Sequence, residues 1–393
     1  LKPTRSILLL VSIAVAVFLL GGGLAMKVGA GDNTYRQVVV FSEVLSLVLD
    51  NYVDPVDPQV LLDGAYEGML GGLDAHGAYL RPEEVRAWKE YRATGGADPG
   101  IVVLKAGRAL QIVAIDPGSP AEEAGLEVGD HVRSVDGQTV RELSLDQAWR
   151  LILGPPGSRL KLDVLHPEDG FRREEVDLER VARRGRPYEL SVRKGIALLE
   201  IRDLARVDPQ ALGEELDDVL SRGVTRLLID VRNVASSNPR LAAPTAGLFT
   251  RGAILALRKR DGSVTETVEA EGGRDAWPGP VDVLVNGATA GAGEALASVI
   301  RFERGGLVLG ETTYGLGSEP KLYELEDGSG LLVSAALWET PSGGRWNGDG
   351  LAPDESISGR GEDWDERVSD QLERALQFLE QRADHPEPAR EAA

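Results

Sequence analysis

The sequence predicts a multidomain protein of mixed α/β and β class: a membrane anchor, a helical segment, a small β-rich domain, and a core in which helices cover a β-sheet. Three observations carry this expectation. An unbroken apolar run from Ile7 to Met26 follows Lys2 and Arg5. Short strand-like runs separated by glycines cluster between residues 95 and 183. From residue 196 onward, apolar strands alternate with amphipathic helices, the pattern of a helix-covered sheet. The expected divisions are 1–34 (anchor and linker), 35–94 (helical segment), 95–183 (β domain), 184–357 (core) and 358–393 (C-terminal helix and tail).

Each element has its own signal. About 20 apolar residues at 1.5 Å rise span a bilayer core of about 30 Å. The basic flank stays cytoplasmic, so the remainder is exported. A cleaved signal peptide is the alternative, with "GLA" at 23–25 as the cleavage site. Residues 35–92 read as helical, with Val44, Leu47, Val48 and Tyr52 near helical spacing. "GGADPG" (95–100) breaks that pattern, and "IVVLK", "LQIVAI", "HVRSVDG" and "RLKLDVLH" read as strands around one helix, "SLDQAWRLIL" (144–153). In the core, "IALLEIRDL" precedes a helix at 209–221 with Asp208 as N-cap, Pro209 at its first position and Gly223 beyond its end. "RLLIDVRN", "VDVLVN" and "GLVLGET" are the following strands. A last helix aligns Val368, Leu372, Ala375, Leu376 and Leu379, and "DHPEPAREAA" reads as a disordered tail.

Composition narrows the chemistry. The 393 residues include 63 acidic and 43 basic, for a net charge of −20. A nucleic-acid partner would want a basic stripe, so the charge argues for solubility instead. With no cysteine, disulfides, thiolate metal sites and a cysteine nucleophile are excluded, and an oxidising compartment is compatible. The four histidines, at 76, 131, 166 and 385, all lie outside residues 190–357. No Ser-His-Asp triad can therefore form within the core. Its carboxylates lack ligand spacing, so neither a metal nor a cofactor is expected.

The informative stretch is "VDVLVNGATAGAGEALASVI" (281–300). Strand, tight turn and helix is where many hydrolases lift a nucleophile above the sheet edge. Here the turn carries only Gly, Ala and Gly.

Two resemblances explain it. "PGSPAEEAGLEVGDHVRSVDGQTV" (117–140) resembles a PDZ domain of the bacterial envelope-protease type, covering 95–183. In such domains a peptide C-terminus adds a strand beside a helix. The resemblance implies that "PGIVV" (99–103), with Gly100, Ile101, Val102 and Val103, holds the terminal carboxylate through backbone amides. A second family glycine falls on Val102, whose side chain narrows that approach. Leu145, Ala148, Trp149 and Ile152 recur on one helix face; they either pack the core or border the peptide groove.

Over residues 38–357 the chain resembles a carboxyl-terminal processing peptidase, or tail-specific protease. "NYVDPVD", "GAYEGMLGGLDAHGAYLRPEE", "LLIDVRN", "VLVNGATAGAGEALA", "GLVLGETTYGLGS", "YELEDGSGLLVSAALWETPSGG" and "DGLAPDE" occur in family order. That family implies a Ser–Lys catalytic pair. The nucleophile of its Ser-Ala-Ser-Ala-Ser-Glu turn falls on Gly291, the base of its Phe-Gly-Lys-Gly turn on Leu316, and its glutamine on Pro320. Its Arg-Asn-Asn-Pro-Gly-Gly oxyanion turn is "RNVASS" (232–237), with Ser236 and Ser237 in place of glycines. The 25-residue offset from Gly291 to Leu316 equals the family's, so no insertion hides a shifted pair. Glycine has no atom to attack with, and leucine no proton acceptor. Thr289, Ser298 and Lys321 are the residues nearest to a relocated pair.

The expected function is that of a membrane-anchored pseudopeptidase in the cell envelope. It would face the periplasm or extracellular side and hold polypeptide C-termini or envelope proteins uncut, with homo- or hetero-oligomers possible. Two alternatives are an active serine-type endopeptidase with an unorthodox site and a PDZ-based assembly scaffold.

Overall fold

The computed structural model describes residues 32–94, 96–183, 185–270, 277–361 and 363–384. The apolar run at 7–26 and the tail at 385–393 lie outside them. Among the described residues no helix is long and apolar enough to cross a membrane. The chain divides into two compact units, residues 1–66 and 67–393.

The first unit holds helix α1 (Asp32–Asn51) and most of α2 (Pro58–Gly71). The Asp57 carboxylate accepts the Gln59 amide at 2.9 Å and starts α2, with proline at its first position, where no amide is needed.

The second unit begins in a way the sequence reading missed. Residues 35–92 are not all helical. The Asp74 carboxylate accepts the amides of His76 and Gly77, which closes a turn after α2. Strand β1 (Ala78–Leu80) follows, buried along its whole length and paired antiparallel with residues 330–332. Three residues are too few to show a period of two, and the partner is about 250 positions away. Helix α3 (Pro82–Thr94) comes next.

The β domain has strands β2 (Ile101–Ala106) and β3 (Ala109–Ile115), a short helix α4 (Pro120–Glu123), strands β4 (His131–Val135) and β5 (Gln138–Thr139), helix α5 (Leu145–Ile152), and strands β6 (Arg159–His166) and β7 (Arg172–Glu179). The sheet order is β2-β3-β4-β6-β7, which leaves β2 as an outer strand. Ser144 caps α5 reciprocally with Gln147. Leu160, Leu162 and Val164 alternate inward along β6 and are almost fully buried.

The core continues through β8 (Tyr188–Arg193), β9 (Ile196–Ile201), α6 (Pro209–Ser221), β10 (Leu227–Asp230), β11 (Ala235–Ser236) and α7 (Ala243–Ala246). It goes on through β12 (Ala253–Lys259), β13 (Val264–Glu269), β14 (Val281–Val285), β15 (Ala290–Gly291), α8 (Ala292–Phe302) and β16 (Val308–Gly310). The last elements are β17 (Ser318–Glu324), β18 (Gly330–Glu339), β19 (Glu355–Ser356) and α9 (Trp364–Asp384). The order β19-β16-β14-β10-β9-β8 is parallel except for β8. Both faces are covered, so β9, β10 and β14 read as continuous apolar runs. Leu227 and Ile229 join the cluster of α6 and α8, while Leu228 joins Leu372, Leu376 and Leu379 of α9 on the other face. Asp208 caps α6 as expected. A second, antiparallel sheet, β1-β18-β12-β13 with β17 beside β18, was not part of the expected single helix-covered sheet. Its alternating, half-exposed strands carry a weaker signal than the buried parallel ones.

Candidate functional site

The strand-turn-helix stretch folds as its pattern requires. β14 leads through Asn286–Thr289 into β15, and Gly291 stands at the N-cap of α8 with φ 56° and ψ −100°. Residues with a Cβ are strained there by about 1–3 kcal/mol. Glycine is not.

A second contact fixes residue 291 more tightly. β15 pairs in parallel with β11, Ser236 opposite Gly291. A Cβ placed on Gly291 would lie 1.7 Å from the Ser236 carbonyl oxygen and 3.7 Å from Leu316 Cδ2. The apex of the turn is thus closed by backbone on one side and by an aliphatic side chain on the other. Leu316 is 3% exposed and shares an apolar cluster with Ala288, Ala290, Ile101 and Val103. The Tyr314 hydroxyl donates to the Lys105 carbonyl at 3.3 Å. The β domain therefore packs directly on the site.

Glu294 ties these pieces together, a role the sequence reading did not assign. Fully buried one turn into α8, it accepts the amides of Gly291 (2.9 Å), Gly315 (2.6 Å) and Leu316 (2.7 Å), and the Thr313 hydroxyl. Burial pushes its pKa up to about 7, against the lowering effect of these four donors. Its place as the final residue of the Ser-Ala-Ser-Ala-Ser-Glu-like turn was the available signal.

The remaining expected positions divide. Ser236 and Leu316 lie against Gly291, while Ser237 lines a cavity with Ile101 and Trp149. Pro320 lies in β17 beside a register shift, the kind of irregularity at which strands admit proline. Thr289 Oγ accepts the Asn286 amide and donates to the Val231 carbonyl, so its hydroxyl is used inside the turn. Ser298 is fully buried, without a hydrogen-bond partner among the described residues. Lys321 is exposed, its ammonium 4.9 Å from the Tyr323 ring centre.

The peptide-binding expectations need correction. Leu145 and Ala148 are fully buried in the β-domain core and border no groove. Ile101, Val102, Val103, Trp149 and Ile152 do line a cavity of about 160 Å³, and Ser236 and Ser237 from the core form part of its wall. Gly100 does not present a free amide there: its N–H donates to Asp98 Oδ1 at 2.7 Å. Asp98 Oδ2 accepts Arg183 Nε at 2.9 Å. Trp149 Nε1 donates to the Val103 carbonyl at 2.9 Å, which occupies an acceptor on the outer strand. Asp98 and Arg183 were missed because their partners are set by the fold, although Asp-Pro-Gly is itself an Asx-turn signal. No group of three or more potential metal ligands occurs among the described residues.

Comparison with known proteins agrees with this architecture. Residues 195–357 match Peptidase family S41, and residues 111–165 match a PDZ domain. The chain is 31% identical over 315 residues to the carboxyl-terminal-processing protease of Picosynechococcus sp., covering 75% of this chain and 73% of that protein. It is 26% identical to the carboxy-terminal-processing protease of Bartonella bacilliformis, covering 82% and 75%. Its fold matches that of a photosystem II D1 C-terminal processing protease with a TM-score of 0.61 at 24% identity, over 81% of this chain and 92% of that one. The chain therefore belongs to the carboxyl-terminal processing protease family, with a PDZ domain packed against an S41 peptidase core.

Proposed function

We propose that this member of the family is a pseudopeptidase, one that holds polypeptides or partner proteins in the cell envelope without cutting them. The observation that carries the reading is the apex at Gly291. It lacks a hydroxyl, Leu316 faces it where the family places its base, and the Ser236 carbonyl fills the space a side chain would need. A serine acts as a nucleophile only when a base can take its proton, and a lysine serves only when desolvation lowers its pKa from about 10.4. Loss of the nucleophile alone costs on the order of 10⁶ in rate at a hydrolytic site. The committed hydrogen bonds of Thr289 and the exposure of Lys321 support the absence of a relocated pair.

The chain is exported in this reading, with residues 7–26 as its membrane anchor and the domains on the periplasmic or extracellular side. Lys2 and Arg5 before the apolar run support that topology, and the lack of cysteine is consistent with it. The test is chemical. The purified protein should resist labelling by a fluorophosphonate, and the Gly291→Ser/Leu316→Lys double variant should label poorly as well, since the 235–237 segment crowds residue 291. Stoichiometric labelling of the unaltered chain, mapped to any core hydroxyl, would refute the reading.

A further inference from the structure

The groove beside β2 is where a strand-adding ligand would lie, and its polar end does not suit a free C-terminus. The Gly100 amide, one of the loop amides implied to receive a terminal carboxylate, is already bound to the Asp98 carboxylate. Asp98 is 6% exposed, and its other oxygen is on Arg183. Displacing it would strip a buried carboxylate oxygen of its hydrogen bond, which is costly. The loop cannot readily turn away either. At Gly100, with φ +87°, a Cβ would meet the Ser119 side chain at 2.1 Å, so loop and α4 are in close contact.

The charges around the loop point the same way. Arg183 lies 2.9 Å from Asp98, 3.5 Å from Asp116 and 3.9 Å from Asp203. Arg206 is the other cation acting on Asp116. Three carboxylates thus face two guanidiniums. Burial raises the Asp116 carboxyl above its ordinary range, and Asp98 and Asp203 add to the shift. An incoming carboxylate would be a fourth negative charge in this cluster.

The shape agrees. The cavity of about 160 Å³ is the size of one medium apolar side chain, since about 150 Å³ accommodates a benzene. It shares Asp98, Leu153 and Arg183 with a second cavity of about 880 Å³, so the groove continues past the loop instead of ending at it.

We propose that this groove takes an internal stretch of polypeptide, one apolar side chain beside Trp149 and a neutral or basic residue near Asp98, and not a free C-terminus. The inference rests on the polypeptide-holding reading given above. Asp98 is then the residue that sets the ligand class, acting as a built-in carboxylate on the loop.

The experiment presents the full chain with decapeptide libraries of randomised sequence, once with free carboxylates and once with C-terminal amides. For each binder, the amide form should bind at least as tightly as the acid form. The Asp98→Asn variant keeps an acceptor for the Gly100 amide but removes the charge. Removing this repelling charge should raise acid-form affinity by about tenfold or more relative to the amide form of the same peptide. If the unaltered chain binds acid forms about tenfold tighter than amides, the internal-segment inference is wrong while the polypeptide-holding reading stands. If neither library yields a binder, the polypeptide-holding reading fails, and the inference fails with it.

Discussion

Gly291 could be read as the position where the family resemblance places its nucleophile, because motif order and the 25-residue offset to Leu316 are sequence properties. What the sequence could not supply was the Ser236 carbonyl, brought there by pairing between strands more than 50 residues apart. That contact makes Gly291→Ala costly by roughly 3 kcal/mol, combining backbone strain and overpacking, measured as a lower denaturant midpoint. A neutral substitution would mean that β11 does not close over the turn. Glu294 yields a pH prediction. The folded state keeps its proton to about pH 7, whereas the unfolded chain releases it near 4.5. Its contribution to stability is complete below about 4.5 and declines as pH rises towards about 7, by about 3 kcal/mol. Urea unfolding across that window should show the decline, and Glu294→Gln should flatten it. Equal slopes in both proteins would remove Glu294 as the titrating group.

At the scale of elements, legibility followed burial and length. The buried parallel strands and α6, with its Asp208 cap, could be read because each carries its own local signal. β1 and the antiparallel sheet could not, since their reason for existing is a distant partner. Helix α5 shows the same limit at finer grain. Its apolar repeat was clear, but which residues faced the groove depended on neighbouring strands, and only Trp149 and Ile152 do. Trp149 offers a direct test. Phenylalanine there keeps most of the ring and loses the N–H that occupies the Val103 carbonyl. Trp149→Phe should therefore strengthen binding of a strand-adding peptide by about threefold to tenfold, the net worth of one hydrogen bond, as read by fluorescence polarisation. Weaker binding would make the indole N–H a donor to the ligand instead of a built-in occupant of the Val103 carbonyl.

At the largest scale, the PDZ domain and the S41 core share one packed site around Gly291 and Leu316. Leu316, Ala288 and Ala290 belong to the same apolar cluster as the PDZ strands, so this turn contributes to interdomain packing. The topology proposal is tested by a reporter fused after residue 393, which should be active only outside the cytoplasm; strong cytoplasmic activity would reverse the orientation. The central claim is loss of proteolysis, and it is tested most directly by incubating the purified chain from residue 35 with unfolded casein and with peptides spanning several C-terminal sequences. The account predicts no cleavage above that of a matched preparation carrying Thr289→Val, Ser298→Ala and Lys321→Met. Robust cleavage by the unaltered protein that disappears in that triple variant would contradict it.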